Sequence, residues 1–544
     1  MSHTARAAQW VDAVIFDLGR QMRWTFLPPL MVYFAAGFSG LTMIVGTFFV
    51  KEYLDLSAAF LAGLAFWAGL PWALKMPLGH LVDIMWRWKW LLVHLGAGLI
   101  AGSVLIMYLL LTQTEAMVAI MPMGAWYVTS YLLAPSGLVI QDAVADAMSV
   151  EAVPRIDENG KDLDPETSRA LHTTMQTLGR FALIGGTVAV ALLNITMFSG
   201  IEAMDAEGKR AVYARIYLAA LAIPLVSVSG VVLAGVQKWR ARRGLLGRGL
   251  TEAEADALFE RTDEETTPNP WYFIGGAAFV ALSLTIGLSD MAMGQEIIFA
   301  GSMAIVLLLM RQLVAVLPVA QARTLIGTAI IIFIFRAVPR VGDGYTWFSI
   351  DVLGFDQQFL SVLSLITSVL TLVGMLILRP LIAHHSIAYV IVVLTIAGGV
   401  LSLPNIGLYY GIQNITAPLT GGIVDARFIA IMDTALESPL GQIAMIPMLA
   451  WIARNAPPDL KATFFAVMAS FTNLALSASS LFTRYLNQIF VVTREVRDPV
   501  SGAVTTPADY SQLGLLLLIV SGLTVALPLL AVALVQRTRL RSVD

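Results

Sequence analysis

The 544-residue sequence contains no cysteine and few charged residues. Without cysteine the chain can form no disulfide, no cysteine-ligated iron–sulfur cluster and no thiol-based active site. Only 13% of its residues are Asp, Glu, Lys or Arg, about half the fraction found in soluble domains. The net charge of -3 gives no indication of nucleic-acid binding. These scarcities point away from a soluble or nucleic-acid-binding protein.

Sequence motifs of common enzymes are also missing. The chain has no phosphate-binding Walker loop, no HExxH metal pair, no Gly-x-Ser-x-Gly elbow and no dinucleotide fingerprint. Its six histidines do not form a metal-binding pattern. We therefore expect no enzymatic activity, no cofactor and no bound metal. The first residues lack the features of a cleaved signal peptide, so the first membrane helix is expected to stay in the mature protein.

Long apolar runs are what the sequence has in abundance, since 58% of its residues are hydrophobic. A helix of about 20 apolar residues crosses the hydrocarbon core of a bilayer, and about fourteen such runs occur. We predict spans at 27–50, 57–74, 90–111, 117–141, 171–197, 213–236, 271–288, 295–318, 320–338, 357–378, 387–408, 426–452, 461–487 and 512–536. The predicted fold class is an all-α polytopic membrane protein.

The spacing of these spans predicts four segments. They are an N-terminal six-helix bundle at 1–236, a cytoplasmic linker at 237–270, an additional transmembrane hairpin at 271–318 and a C-terminal six-helix bundle at 319–544. Two six-helix bundles are typical of the major facilitator fold, in which substrate binds between the halves near the midplane. The simplest interpretation of the hairpin is a lipid-facing insertion, so the other twelve spans are numbered one to twelve without it.

The distribution of basic residues predicts the orientation. With the N-terminus inside the cell, most of the 34 Lys and Arg residues fall in cytoplasmic segments, including the linker. Short cytoplasmic loops of membrane proteins carry such an excess. We therefore predict an integral protein of the plasma (inner) membrane with both termini in the cytoplasm.

The loop between predicted spans two and three contains Gly79, Asp83, Arg87 and Lys89. This spacing resembles the signature loop of the major facilitator superfamily, although Trp86 replaces the usual glycine before the arginine. Gly79 would let helices approach closely, and the charged residues would form a latch that holds one conformation. The alternative is an ordinary positively charged cytoplasmic loop.

Asp142 and Asp146 lie at the inner end of predicted span four. Residues four apart share one face of a helix, and two carboxylates on one face suit proton binding or attraction of a cation. The competing interpretation places this turn among the lipid headgroups, where the acids pair with Arg87 or Lys89.

A second acidic pair, Asp433 and Glu437, lies near the middle of predicted span ten. Charged side chains are costly there and usually face a cavity or a partner. Pro439 predicts a kink and Gln442 follows on the same helix. We expect this segment to hold the substrate or coupling site, with a structural ion pair as the alternative.

Arg336, at the outer end of predicted span seven, requires a carboxylate partner or an anionic substrate. We expect it to face Asp433 or Glu437. The aromatic segment 343–348 that follows could equally form an interfacial belt.

A polar stripe of His172, Gln176 and Arg180 occurs in predicted span five, and Asn473 with Arg484 is its counterpart in predicted span eleven. Such stripes face protein more often than lipid. Contact between helices explains them as well as contact with substrate does.

Segments 433–449 and 456–473 strongly resemble the folate–biopterin transporter family of the major facilitator superfamily. Arg336-Ala-Val-Pro339, residues 354–360 and the Asp142/Asp146 stretch fit the same family. The resemblance implies a proton-coupled symporter for pterins or folates that works as a monomer in the bilayer. It also implies a cavity in which acids bind the donor edge of the pterin and Arg336 binds the anionic tail, with Gln442 and Asn473 nearby.

Two alternatives remain open. The stretch 141–154 and Leu178-Gly179-Arg180 resemble muropeptide permeases, which also have fourteen spans. A non-transporting membrane assembly factor built on the facilitator fold is the alternative from a different functional class.

Overall fold

Helices dominate a computed structural model, which describes residues 22–54, 56–73, 75–85, 88–154, 164–247, 251–252, 270–287, 291, 293–315, 317–384, 386–437, 461–497 and 504–540. Within these residues, 10 helical segments are long and apolar enough to cross a membrane. The number of spans therefore stays a prediction, since residues 438–452 of the predicted span at 426–452 lie outside the described residues.

The N-terminal half packs its helices around the first span. Its helices are α1 Leu27–Phe38, α2 Met43–Tyr53, α3 Ala58–Ala73, α4 Lys75–Ile84, α5 Lys89–Thr112, α6 Thr114–Ile120, α7 Met123–Glu151, α8 Pro165–Met197, α9 Ala206–Ala220 and α10 Ala222–Gly247. A 3₁₀ turn at Ser39–Thr42 joins α1 to α2, and together they form one membrane segment. Helix α1 contacts α7, α8 and α10, while α5 packs along α7.

Two of the differences from the predicted spans concern a divided apolar run and a longer helix. The apolar run at 117–141 is divided between α6 and α7 because Pro122 stands at the N-cap of α7. Proline has no backbone N–H to continue a helix, and it disfavours helical geometry in the residue before it. At the other boundary, α10 runs on to Gly247, well beyond residue 236, so the predicted linker begins as helix.

Helices α1 and α8 approach so closely that glycine is required at their crossing. A Cβ atom added at Gly37 would lie 1.8 Å from the carbonyl oxygen of Leu183, and one at Gly186 would lie 2.4 Å from that of Phe34. Small residues permit this backbone contact between membrane helices. Any side chain at either position would force the two spans apart.

The C-terminal half has helices α13 to α21 and one short β-hairpin. The elements are α13 Val319–Arg336, α14 Asp343–Asp351, α15 Gln357–His384, α16 Ile387–Leu401, α17 Leu403–Tyr409, α18 Gln413–Leu419, α19 Ala426–Glu437, α20 Lys461–Ile489, β1 Val496–Arg497, β2 Val504–Thr506 and α21 Leu513–Arg537. The strands are antiparallel, with Val496 opposite Thr506. Helix α21 packs against α13 and α16, and α20 packs against α13.

The aromatic segment 343–348 belongs to helix α14 and not to an interfacial belt. Trp347 is only 1% exposed and Phe348 is 4% exposed. Both side chains belong to hydrophobic clusters between elements of the structure. The aromatic residues therefore contribute to the protein core.

The predicted hairpin is formed by α11 Pro270–Gly287 and α12 Gly294–Val314. Helix α11 contacts α4 of the N-terminal half, and α12 contacts α20 of the C-terminal half. The Gln295 side chain accepts a hydrogen bond from Arg484 at 2.9 Å and donates one to the carbonyl of Gly63 at 3.2 Å. The hairpin thus contacts both halves with polar groups, which a purely lipid-facing insertion would not require.

Two seams join the halves, α3 against α20 and α8 against α15. We call the side of the molecule that holds Trp24, Gly247 and Arg537 the terminus side. The opposite side holds residues 51–54, 56–57, 343–351, 490–497 and 504–512, and we call it the loop side. In the predicted orientation the terminus side is cytoplasmic.

Candidate functional site

Lys75 and two aspartates form a charged cluster inside the N-terminal half. Lys75 begins α4, and its ammonium lies 2.6 Å from a carboxylate oxygen of Asp142 and 2.8 Å from one of Asp146. Both acids are on α7, one helical turn apart, so they present their carboxylates on the same face. The prediction that these two aspartates share a helix face is confirmed. Their common partner is Lys75, whereas the sequence suggested Arg87 or Lys89.

Two further residues complete this cluster. The Tyr33 hydroxyl on α1 donates a hydrogen bond of 2.7 Å to Asp146. Arg180 on α8 is exposed but close enough to stabilise the charge of Asp142. Span one therefore contributes Tyr33, the end of span two contributes Lys75 and span four contributes both aspartates, with Arg180 of span five nearby. We refer to Tyr33, Lys75, Asp142 and Asp146 as the lysine cluster.

The two carboxylates of the lysine cluster differ in their access to solvent. The Asp142 side chain is 15% exposed and that of Asp146 is 47% exposed, while that of Lys75 is 21% exposed. Two carboxylates against one ammonium leave one formal negative charge, which a proton or a cationic group can neutralise. Asp146 is the carboxylate that solvent reaches more easily.

The signature loop is only partly described. Lys89 forms an ion pair of 2.8 Å with Glu151, so it ties the start of α5 to the end of α7 within one half. A Cβ atom added at Gly79 would meet no atom of the described residues within 4 Å, so the close helix approach expected at this glycine stays a prediction. The Asp83 side chain and the whole of Arg87 lie outside the described residues.

Asp433 belongs to a chain of hydrogen bonds in the C-terminal half. Its side chain is buried, and it accepts a hydrogen bond of 2.9 Å from the Asn405 amide on α17. The side-chain amide oxygen of Asn405 in turn accepts a hydrogen bond of 2.6 Å from the Tyr345 hydroxyl on α14. We refer to Tyr345, Asn405 and Asp433 as the asparagine chain.

The lysine cluster and the asparagine chain lie at different depths. Both α7 and α19 start on the loop side, and an α-helix rises roughly 1.5 Å per residue. Asp433 is therefore about 10 Å from the start of its helix, whereas Asp142 is about 28 Å from the start of α7. The predicted acidic pairs thus mark two levels of the molecule, one near each side.

Arg336 is the last residue of α13, and its Nε atom is buried without a hydrogen-bond partner among the described residues. A guanidinium has five N–H donors, and burying one of them unsatisfied is costly. The structure does not test the predicted pair with Glu437, because that side chain lies outside the described residues, as do the side chain of Gln176 and the whole of Gln442.

Asn473 joins the two halves directly. Its amide on α20 donates a hydrogen bond of 3.3 Å to the carbonyl of Trp72 on α3. This contact lies on one of the two seams. Asn473 therefore contributes to helix contact, which is one of the two interpretations that the sequence left open for it.

The loop side is closed by polar contacts between the halves. Lys51 pairs with Asp351 at 2.5 Å, and the Gln357 amide donates a hydrogen bond of 3.0 Å to the Tyr213 hydroxyl. Burial raises the pKa of the Asp343 carboxyl above its usual range, and nearby Arg494 partly opposes that effect. Asp343 is also within electrostatic range of Tyr127 and Tyr131 on α7.

These contacts hold the two halves together on the loop side. The lysine cluster lies at the other level of the molecule, where the Asp146 side chain is 47% exposed. Across the described part of the chain, His, Asp and Glu side chains form no group of three that could hold a metal ion. The polar groups present can bind protons and a polar organic molecule.

Lys75, Tyr33 and Asn405 were not among the candidates chosen from the sequence. Lys75 is separated from Asp142 by 67 positions, so helical spacing could not connect them. Its unusual location was nevertheless visible, because a lysine directly after an apolar run needs an acidic partner or an aqueous path.

Comparisons with known proteins agree with this architecture. Residues 36–543 match the BT1 family. The folate–biopterin transporter of Synechocystis is 23% identical over 481 residues, which cover 86% of this chain and 76% of that protein. Folate transporter 2 of Plasmodium falciparum is 24% identical over 173 residues, which cover 30% of this chain and 35% of that protein.

Solved structures are similar over nearly the whole chain. A POT family transporter in complex with 5-aminolevulinic acid has a TM-score of 0.59 at 12% identity, with 95% of this chain and 96% of that chain covered. The nucleoside transporter NupG has a TM-score of 0.51 at 12% identity, with 95% and 100% covered. At these identities the likeness shows the fold alone. The predicted all-α facilitator fold and the resemblance to folate–biopterin transporters are both confirmed, and the chain belongs to the BT1 family of integral membrane transporters.

Proposed function

We propose that the protein is a proton-coupled secondary transporter that moves a pterin- or folate-like molecule across the inner membrane by alternating access. The observation that carries this proposal is the lysine cluster, in which two carboxylates share one ammonium and one of the carboxylates, Asp146, is 47% exposed. The substrate class is supported by the names of the relatives in Synechocystis and Plasmodium falciparum.

The lysine cluster suits proton coupling because its charge changes with one proton. When both aspartates are ionised, Lys75 must compensate two negative charges. A proton on Asp146 leaves one ammonium facing one carboxylate, which is an electrically neutral arrangement that is less costly to enclose in a low-dielectric interior. We propose that this neutral form is the one that can change between the two open states.

Substrate recognition is proposed to involve the asparagine chain. Pterins present adjacent ring N–H and amino donors on one edge, and a carboxylate accepts such a pair of hydrogen bonds. Asp433 offers that carboxylate, held in position by Asn405. Arg336, with a buried Nε that lacks a partner among the described residues, is suited to an anionic substituent.

Because the asparagine chain and the lysine cluster lie at different depths, we propose that substrate and protons bind at separate points along one path through the molecule. Substrate would meet the asparagine chain near the loop side, and protons would exchange with the lysine cluster near the terminus side. Both halves are supplied by one chain and pack along two seams, so we propose that a monomer in the lipid bilayer is sufficient for transport.

Uptake into proteoliposomes tests the proposal. Labelled biopterin, folate and an anhydro-muropeptide would be offered with and without an imposed proton gradient. We expect pterin or folate uptake that depends on the gradient and is lost in Asp146→Asn. The control is Glu252→Gln, which removes the charge of a largely exposed carboxylate near Arg242.

The outcomes separate the candidate functions. Gradient-driven uptake of the muropeptide alone would favour a permease of that class, and no flux of any solute would favour a non-transporting assembly factor. Pterin uptake that Asp146→Asn leaves as sensitive to the gradient as in the parent protein would refute proton coupling at the lysine cluster.

A further inference from the structure

Arg494 connects the two halves on the loop side. It follows α20 in the C-terminal half and is only 2% exposed. Its guanidinium donates hydrogen bonds to three carbonyls of the N-terminal half, those of Val50 at 2.6 Å, Lys51 at 3.1 Å and Leu56 at 3.3 Å. All three acceptors lie at the junction between the first two spans.

The acceptors of Arg494 are located where a cation is particularly favourable. Val50 and Lys51 belong to the last turn of α2. The Val50 carbonyl also accepts a hydrogen bond of 3.2 Å from the backbone N–H of Leu54, and carbonyls in the last turn of a helix keep acceptor capacity for a further donor. The helix dipole places partial negative charge at the same point. Arg494 therefore caps a helix of the opposite half, and the cap exists only while the halves are in contact.

The same guanidinium is fixed from its own half by an aromatic ring. Its central carbon lies 4.8 Å from the centre of the Trp347 ring, within the range of a cation–π interaction. Trp347 is buried in α14, four residues after Asp343, so both residues face the same way along that helix. The planar guanidinium can satisfy three carbonyls and stack on a ring at once, which an ammonium cannot.

We propose that Arg494 is the latch of the loop side, and that transport requires it to leave the end of α2. This inference rests on the proposed alternating access and adds the residue that controls it on one side. If the halves separate on the loop side, the carbonyls at the end of α2 become accessible to water and Arg494 loses all three acceptors together. Its removal should therefore shift the molecule towards the state that is open on the loop side.

The absence of cysteine provides a direct experiment, because a single introduced thiol is the only one in the protein. Ser361 is fully buried on α15, one turn after Gln357, and α15 contacts α2 and α8 of the other half. Ser361→Cys is nearly isosteric. Its reaction with a water-soluble maleimide on purified full-length protein reports opening of the loop side and requires no substrate.

We expect slow labelling of S361C and labelling at least about tenfold faster in R494A/S361C. Tenfold corresponds to losing one charge-assisted hydrogen bond, and this variant loses three. R494K keeps the positive charge but lacks the planar guanidinium that reaches three carbonyls at once. The labelling rate of R494K/S361C should therefore be intermediate. If the alanine variant cannot be purified, R494K provides the test.

Arg427 provides the matched control. It also donates to a backbone carbonyl, that of Gly354, and its guanidinium carbon lies 5.1 Å from the centre of the Phe359 ring. Its partners in the described part of the chain, which include the Asp356 carboxylate at 2.9 Å, are in its own half, so R427A should leave labelling of S361C unchanged. Equal labelling with and without the Arg494 substitutions would overturn the latch. Faster labelling in R494A/S361C together with no uptake of any solute by the parent protein would support the latch and reject the proposed transport.

Discussion

The two halves hold their buried acids in different ways. In the N-terminal half, Asp142 and Asp146 are paired with a full positive charge on Lys75. In the C-terminal half, Asp433 accepts from the neutral amide of Asn405, which is itself held by Tyr345. When an ion-paired acid binds a proton, its cationic partner loses a compensating negative charge. An acid held by neutral hydrogen-bond donors keeps its position and can accept hydrogen bonds from a ligand. This difference is the basis for the proposal that one half binds the proton and the other binds the substrate.

Removing Lys75 should have the largest effect on this comparison. Lys75→Met leaves two carboxylates without their shared cation, and breaking a mostly buried ion pair typically costs about 3 kcal/mol. We expect lower thermal stability in detergent and no uptake. The double variant K75M/D142N should recover much of the stability because it removes one of the stranded charges. A single variant as stable as E252Q would contradict the description of the lysine cluster.

Changing Asp433 should have a smaller effect on stability and a specific effect on uptake. In Asp433→Asn the amide oxygen can still accept from Asn405, so we expect a loss of about 1 kcal/mol or less. The substrate concentration for half-maximal uptake should rise about tenfold through loss of a charged acceptor. Uptake kinetics with an unchanged half-maximal concentration would remove Asp433 from substrate recognition.

Acid should favour closure of the loop side through Asp343. Burial raises the pKa of the Asp343 carboxyl when the halves are in contact, and Arg494 only partly lowers it. The closed form therefore binds a proton more tightly than a form in which this carboxyl faces water. The equilibrium between the two forms should depend on pH between the ordinary carboxyl pKa of about 4 and the raised value. Labelling of S361C should slow as pH falls through that window.

The control for this pH effect is Asp343→Asn in the S361C protein. Its labelling rate is measured at each pH, so that the ratio of the two rates cancels the ionisation of the thiol. Tyr127 and Tyr131, which face Asp343 from α7, stay neutral throughout this range. The same pH profile in both proteins would show that Asp343 does not influence closure.

The smallest expected effect concerns the hairpin. Gln295→Ala removes the link between Arg484 and the carbonyl of Gly63, at a cost of about 1 kcal/mol. We expect a small decrease in thermal stability and a small increase in S361C labelling, because the link crosses between the halves. Gln488→Ala, at an exposed position of α20, should change neither. If Q295A behaves like Q488A, the hairpin does not help to hold the halves together.

The sequence predicted the features that depend on local spacing. Apolar run length located the spans, and the interval between Asp142 and Asp146 placed them on one face. The break at Pro122 was within reach of the same rules but was hidden by the apolar residues around it. The resemblance in segments 433–449 and 456–473 identified the family even though most of the first segment lies outside the described residues.

Features that depend on tertiary contact could not be predicted. Lys75 meets its acids, and Arg494 meets the end of α2, only after distant helices pack. Arg494 carried no signal of its own, since arginine is ordinary in a loop. The aromatic segment 343–348 was ambiguous because a buried ring and an interfacial ring look the same in a sequence.

The glycine contact between α1 and α8 has a consequence for motion. With Gly37 and Gly186 in direct backbone contact, the first and fifth spans have no room to slide or rotate past one another. They should travel as one rigid unit, so spin labels on these two spans would keep a constant separation through the whole cycle. Relative movement of the halves would then occur at the α3–α20 and α8–α15 seams. Replacing either glycine with a bulkier residue would separate α1 from α8 and make this pair of spans less rigid.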